Sequence, residues 1–148
     1  MTSSTTFRPY SSADKEDCLA IFDANCPSFF APNERLDYEG FLDATPEGYE
    51  VCEVDRQVVA AFGLIPGDAD EDRLVWIMLD PGSQGAGIGS SIMKRVISQS
   101  TESGSRLIGI AASHKSAPFF AKFGAKATVH TKDGWGPGMD RVDMELVP

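Results

Sequence analysis

Cysteine is scarce in this chain. Cys18, Cys26 and Cys52 are odd in number and show no Cys-x-x-Cys spacing, which argues against both a disulfide framework and a zinc site. A reducing compartment is the expectation, with no metal. No run approaches the ~18 apolar residues of a membrane span, and Met1-Thr2-Ser3-Ser4-Thr5-Thr6 has neither the basic flank nor the apolar stretch of a secretory signal. A soluble, cytoplasmic protein with no membrane partner is expected. Basic residues are a minority, 13 Lys and Arg against 22 Asp and Glu, for a formal charge of −9. Nucleic-acid affinity comes mainly from Lys and Arg neutralising phosphates, so no nucleic-acid partner is expected and an amine-bearing one is favoured. What is present is ordinary: 42% hydrophobic and 24% charged residues in 148, near the common size of one domain. Residues 1–148 read as one domain, without repeats or low-complexity tracts.

Residues 5–8 suit a short first strand. Ser11-Ser12-Ala13-Asp14 offers a hydroxyl cap with acids in the next turn, and the spacing predicts a helix over 13–24 that buries Cys18, Leu19, Ile21 and Phe22. Pro27 stops it. The stretch Cys26-Pro27-Ser28-Phe29-Phe30-Ala31-Pro32-Asn33 reads as a loop with packing or binding work to do. A second, acidic helix is expected over 34–42, then a hairpin of 49–54 and 58–65 turning at Asp55-Arg56-Gln57. The polar run 68–72 reads as a surface connection. Residues 73–79 are apolar without alternation, as in a central strand covered on both faces. A helix over 88–100 presents Ile88, Ile92 and Val96 on one face, 107–112 is a buried strand, and 116–123 a short helix. Strands over 126–131 and 141–146 follow, joined by the loop Asp133-Gly134-Trp135-Gly136-Pro137-Gly138. Helices cross between strands only in the middle, so the fold class is mixed α/β and not doubly wound.

The junction Gln84-Gly85-Ala86-Gly87-Ile88-Gly89 joins a strand to an amphipathic helix. The first N–H groups of a helix lack internal partners and sit at the positive end of its dipole, and glycines leave them open to a diphosphate. Glycines that merely shape a tight turn are the competing reading. A P-loop would need Gly-Lys-Ser/Thr, which is absent. A dinucleotide fingerprint would want Gly or Ala at Ser90 and usually an acid where the chain has Ala111-Ala112.

Residues 74–91 closely resemble the coenzyme A signature of the GNAT family of N-acetyltransferases, whose core is Gln/Arg-x-x-Gly-x-Gly/Ala. The stretch Ser113-His114-Lys115-Ser116-Ala117-Pro118-Phe119-Phe120-Ala121-Lys122-Phe123-Gly124-Ala125 resembles that family's helix after its fifth strand. The resemblance implies a mixed, α+β-like fold with a central, mostly antiparallel, twisted sheet of about seven strands flanked by about four helices. It further implies an N-acetyltransferase that takes acetyl-CoA as co-substrate. The acetyl group would pass by direct attack to the amine of a small molecule or peptide, and a homodimer is the assembly left open. By position, Ile77, Met78 and Leu79 would offer backbone groups to the pantetheine arm. Gln84, Gly85, Ala86, Gly87, Ile88, Gly89 and Ser90 would wrap the pyrophosphate, and the N–H of Leu79 would hold the oxyanion. Ser113 stands where the family often has an asparagine that contacts the cofactor. The thioester would lie between splayed strands ending near Leu79 and Ala112.

Phe120 occupies the position where the family commonly has a tyrosine that protonates the leaving thiolate. A thiol of pKa ~8.5 leaving unassisted at pH 7 forgoes roughly 2 kcal/mol, which slows the reaction without abolishing it. An alkylamine of pKa ~10.4 must lose its proton before attack, at roughly 4–5 kcal/mol, so a base or a desolvating pocket is needed. Ile108 stands where some members carry a glutamate, which leaves the base unassigned. Glu34, Asp37 and Glu39 read first as a solvated helix face and second as acids on the acceptor side. His114 has a suitable intrinsic pKa but sits where a surface histidine commonly begins a helix, and His130 is weaker still. Phe29, Phe30, Tyr38 and Trp135 are candidates for an apolar acceptor pocket, with core packing as the alternative. Direct transfer needs no nucleophile from Cys26. The competing function is an acyl-CoA-binding sensor or regulatory protein with a degenerate site. Acetylation of aminoacyl-tRNA would want a basic face that the charge denies.

Overall fold

Among the described residues, 5–85 and 87–148, the computed structural model has seven strands and four α-helices. In chain order they are β1 (Thr5–Pro9), α1 (Lys15–Ala24), α2 (Arg35–Asp43), β2 (Tyr49–Val54), β3 (Gln57–Pro66), β4 (Glu71–Leu79), α3 (Ile88–Glu102), β5 (Leu107–Ser113), α4 (Ala117–Ala121), β6 (Lys126–Gly136) and β7 (Met139–Leu146). The strands form one sheet in the order β1-β2-β3-β4-β5-β7-β6, and only β4 and β5 run parallel. The class is mixed α/β with a mostly antiparallel sheet.

The starts of α1 and α2 are each set by a carboxylate turned back on the chain. Regular α-helix begins at Lys15, two residues later than the spacing predicts, because Ser12–Asp14 form a single 3-10 turn. The N–H of Ser11 donates to Asp14 Oδ2 at 2.9 Å, and the Arg8 guanidinium binds both Asp14 oxygens at 2.7 and 2.8 Å. That pairing holds the Asp14 carboxyl below its ordinary range. Pro32–Glu34 repeat the device before α2, with the N–H of Ala31 donating to Glu34 Oε2 at 2.8 Å. Glu34 therefore points inward and is 5% exposed, whereas Asp37 on the following turn is exposed.

Two apolar cores lie on opposite faces of the sheet. Ile92, Met93 and Val96 of α3 pack with Ile108, Ile110, Val142 and Met144 on one face, each such side chain contributing roughly 1.5–3 kcal/mol on burial. On the other face, α1 and α2 cover β2, β3 and β4 through Phe22, Tyr38, Leu42 and Val51.

Two departures from the sequence reading bear on the site. The run 68–72 is not all surface connection, because β4 begins at Glu71 and Asp72 is 9% exposed. Its Oδ2 accepts hydroxyl hydrogen bonds from Ser100 at 2.9 Å, Ser103 at 3.3 Å and Ser105 at 2.5 Å, around the end of α3. The expected glycine-rich loop of 133–138 is mostly strand: β6 runs through Trp135 to Gly136 and leaves Pro137-Gly138 as the turn into β7.

Candidate active site

The site starts from a fault in β4. Ala61 pairs with Met78 but Gly63 pairs with Val75, so two residues of β4, Trp76 and Ile77, face one of β3. Trp76 has a φ of +44°, a rare conformation for a bulky side chain. The bulge turns the C-terminal half of β4 away from β5, and their pairing stops at Leu74 and Ile110. A cavity of about 710 Å³ fills the opening.

One wall is the strand-to-helix turn. Gly85 and Gly87 have φ of +85° and +78°, the left-handed region in which a side chain is strained, and space is open where a Cβ would stand at either. The first bond of the α3 ladder runs from Ser91 N–H to the Gly87 carbonyl at 3.0 Å, so the N–H groups of Ile88, Gly89 and Ser90 precede it. With the dipole of the 15-residue α3 behind them, these donors and the missing side chains fit a diphosphate. Gln84, Gly87, Gly89 and Ser90 line the cavity, whereas the Ile88 side chain goes into the core at 4% exposure. Gly85 lies off the lining, and Ala86 falls outside the described residues. Phe119 of α4 packs on Gly89, where an added Cβ would stand 3.1 Å from its ring. Lys115, at the turn into α4, adds a cation to the lining.

The backbone of β4 forms the second wall, with Ile77, Met78 and Leu79 on the lining. The N–H of Asp80 donates to the Val59 carbonyl at 2.7 Å, and polar groups alternate in direction along an antiparallel strand. The N–H and C=O of Leu79 therefore point away from β3, toward the opening. The carbonyl accepts from Asn25 Nδ2 at 3.0 Å, which ties the end of α1 to the rim. Ser113 lines the far side with its hydroxyl engaged by Ser116 at 3.0 Å. Phe120 is on the lining at 3% exposure and brings no hydroxyl there.

Phe29, Phe30, Glu34 and Trp135 also line this cavity. Burial pushes the Glu34 carboxyl up from 4.5 to about 6, with a smaller upward contribution from Asp37 and an opposing hydrogen bond from Ala31. Trp135 is fixed from three sides. Its Nε1 donates to the Ala112 carbonyl at 2.9 Å, its carbonyl accepts from Asn33 Nδ2 at 2.7 Å, and the Arg141 guanidinium lies 5.0 Å from its ring centre.

Tyr38 does not join this group. It is fully buried between α2 and the sheet, its hydroxyl shares a hydrogen bond with that of Tyr49 at 2.8 Å, and ring stacking with Phe22 holds it in the core. Asp37 is off the lining, and Glu39 pairs with Lys15 at 3.2 Å. His114 is also off it; its Nδ1 accepts from the Asp140 N–H at 3.0 Å. His130 pairs with Asp140 at the surface at 2.8 Å. Asn25, Trp76, Lys115 and Arg141 line the cavity without having been marked in the sequence. Their places depend on which strands are neighbours, and local spacing carries no signal of that.

The sheet is thus opened between two parallel strands, with the free N–H end of a helix on one side and a buried carboxylate on the other. The model of the Acetyltransferase (GNAT) family matches residues 18–125, and the chain belongs to that family, which makes acetyl transfer its class of reaction. No curated protein sequence matches the chain. Among solved structures it is similar to Ard1 from Thermoplasma volcanium, at 18% identity over 97% of both chains with a TM-score of 0.80. It is also similar to the ribosomal-protein-S18-alanine N-acetyltransferase from Escherichia coli, at 17% identity over 97% of this chain and 94% of that one, TM-score 0.78. A third is yncA from Salmonella typhimurium with its cofactor acetyl-CoA, at 15% identity over 97% and 93%, TM-score 0.69. At these identities the likeness establishes the shared fold. No helix among the described residues is long and apolar enough to cross a membrane.

Proposed function

We propose that the chain is an acetyl-CoA-dependent N-acetyltransferase whose acceptor is the amine of a small molecule or peptide. One observation carries the reading: the open N–H end of α3 and the buried Glu34 line one cavity, on opposite sides of the gap between β4 and β5. Bound acetyl-CoA supplies the thioester whose acetyl group is transferred. Gly87, Gly89 and Ser90 would hold its diphosphate through backbone N–H groups, with Lys115 as a nearby cation. The N–H of Leu79 would stabilise the negative charge that grows on the carbonyl oxygen as the amine attacks.

Glu34 is the candidate base. Near pH 7 a carboxyl with a pKa of about 6 is mostly ionised and free to accept a proton, a transfer that is uphill from an alkylammonium of pKa ~10.4 and eases as the pocket lowers that value. Phe29, Phe30 and Trp135 would strip water from that ammonium and so ease its deprotonation. The nitrogen lone pair then forms the new C–N bond and the nitrogen gives up its second proton to water; the C–S bond breaks, and the thiolate takes a proton from water, since Phe120 has none to give. A buried carboxylate in the cavity favours turnover over a sensor that only binds.

Calorimetric titration with acetyl-CoA, followed by thiol release across a panel of amines, tests the proposal. Binding followed by amine-dependent release is expected. Binding with no release for any amine or peptide would favour the sensor.

A further inference from the structure

The charge of the cavity is opposite to that of the chain. Acids outnumber bases by 22 to 13 overall, yet the lining carries Arg73, Lys115 and Arg141 against Glu34 alone. Lys115 stands at the turn into α4, beside the phosphate side. The two arginines lie on the other face of the sheet. Ile108, Ile110, Ala112, Val142 and Met144 are packed into the core under α3. Side chains alternate along a strand, and Arg141 pairs with Ser113 while Arg73 pairs with Gly109, so both project from the acceptor face.

Arg141 has the build of a carboxylate clamp. Its guanidinium lies on the Trp135 ring, and Nε and Nη2 reach Asp143 Oδ1 at 3.0 and 2.9 Å. Those contacts fix the plane and leave Nη1 without a side-chain partner among the described residues, with N–H donors to spare of the five a guanidinium has. Its support, Trp135, is latched through Asn33 to the segment that carries Glu34. A carboxylate site therefore adjoins an ammonium site, with Phe29, Phe30 and Trp76 as apolar walls. Arg73 is four residues further along β5 by register, about 13 Å in that direction, and stands on the opposite side of β5, out of reach of an acid close to the reacting nitrogen.

We infer that the acceptor amine carries a carboxylate next to its nitrogen, as a free amino acid with an apolar side chain does, and that Arg141 selects for that carboxylate. The inference rests on the acetyltransferase reading and narrows its substrate class.

Matched acceptors test it: phenylalanine against phenethylamine, tryptophan against tryptamine, leucine against isoamylamine. The readout is the ratio of kcat/KM within a pair. A charge-assisted pair supports an expected preference of about tenfold or more for the acid-bearing member in at least one pair. The ratio should collapse in Arg141→Gln, recover in part in Arg141→Lys, and persist in Arg73→Gln. A second readout is calorimetric binding of N-acetylphenylalanine against N-phenethylacetamide to the protein loaded with free coenzyme A, which needs no turnover. Equal or better use of the carboxylate-free amine in every pair, or a preference that survives Arg141→Gln, overturns the inference. Absence of thiol release with any amine, while N-acetylphenylalanine still binds the tighter of the two, removes the acetyltransferase reading and leaves the carboxylate site standing. Absence of both removes both.

Discussion

The Tyr49 hydroxyl donates to the Trp76 carbonyl at 2.6 Å, and the Tyr38 hydroxyl must then donate to Tyr49. Two core phenols thus hold the one strained residue of β4, whose bulge opens the sheet. Tyr49→Phe should lower stability by about 1–3 kcal/mol, because the carbonyl loses its donor in a largely buried place. It should also weaken acetyl-CoA binding, since the bulge is no longer held. Chemical denaturation and calorimetry report the two effects separately, and a loss of stability with unchanged cofactor affinity would show that the bulge holds itself.

At Gly87 the backbone, and not crowding, forbids a side chain, since the space around a Cβ is open. Gly87→Leu would strain a left-handed residue by about 1–2 kcal/mol and place its side chain over the N–H donors. Cofactor affinity should fall by about tenfold or more. A folded variant with wild-type affinity would falsify the assignment of the phosphate site.

Glu34 gives a pH signature with a definite sign. As base it must be ionised, so kcat/KM should fall as pH drops through about 6. Glu34→Gln should lose that limb together with roughly 10²-fold in rate, while the amide oxygen still caps Ala31. Stability moves the other way. A carboxyl raised from 4.5 to about 6 in the folded chain stabilises it fully below about 4.5 and loses that contribution as pH rises through about 6. The rise corresponds to about 2 kcal/mol, so Glu34→Gln should gain up to that much relative to the parent above pH 6. Denaturation midpoints across pH 4–8 check it.

Phe120→Tyr should raise the rate by up to about 30-fold if thiolate departure limits turnover, from the ~2 kcal/mol that an unassisted thiol forgoes. The gain should fade above pH ~8.5, where the free thiolate is itself stable. A gain that instead grows with pH would mean that the hydroxyl acts on the amine.

The parts of the site that were legible in the sequence are those set by local spacing. The glycines before α3, the apolar period of Ile88, Ile92 and Val96, and the hairpin turn at Asp55 each act within a few residues. The bulge at Trp76 was not legible, because an apolar strand without Gly or Pro gives no local sign of a register shift. Glu34 did leave a sign: it stands three residues after Ala31, the spacing at which a carboxylate reaches back to cap a helix start. Its place on a polar helix face makes a solvated side chain the first reading and an acid on the acceptor side the second. For Tyr38 the structure takes the alternative of core packing, because an aromatic residue near a proline-rich loop looks the same from sequence whether it faces a pocket or a core. Arg141 needed the pairing of β7 with β5, a contact across 28 positions between Ser113 and itself.

The three serine hydroxyls gathered on one oxygen of Asp72 turn α3 into a gauge of fixed length. Its far end is pegged to the sheet, so the height of the phosphate turn above the gap is set some 22 Å away, by 15 residues rising about 1.5 Å each. A residue inserted or deleted anywhere between the two ends would swing the glycines about 100° around the helix axis, even on a face that touches nothing. Tolerance to changes of length, ordinary in a surface helix, should therefore be lost along all of α3, and no contact at the site itself would reveal why.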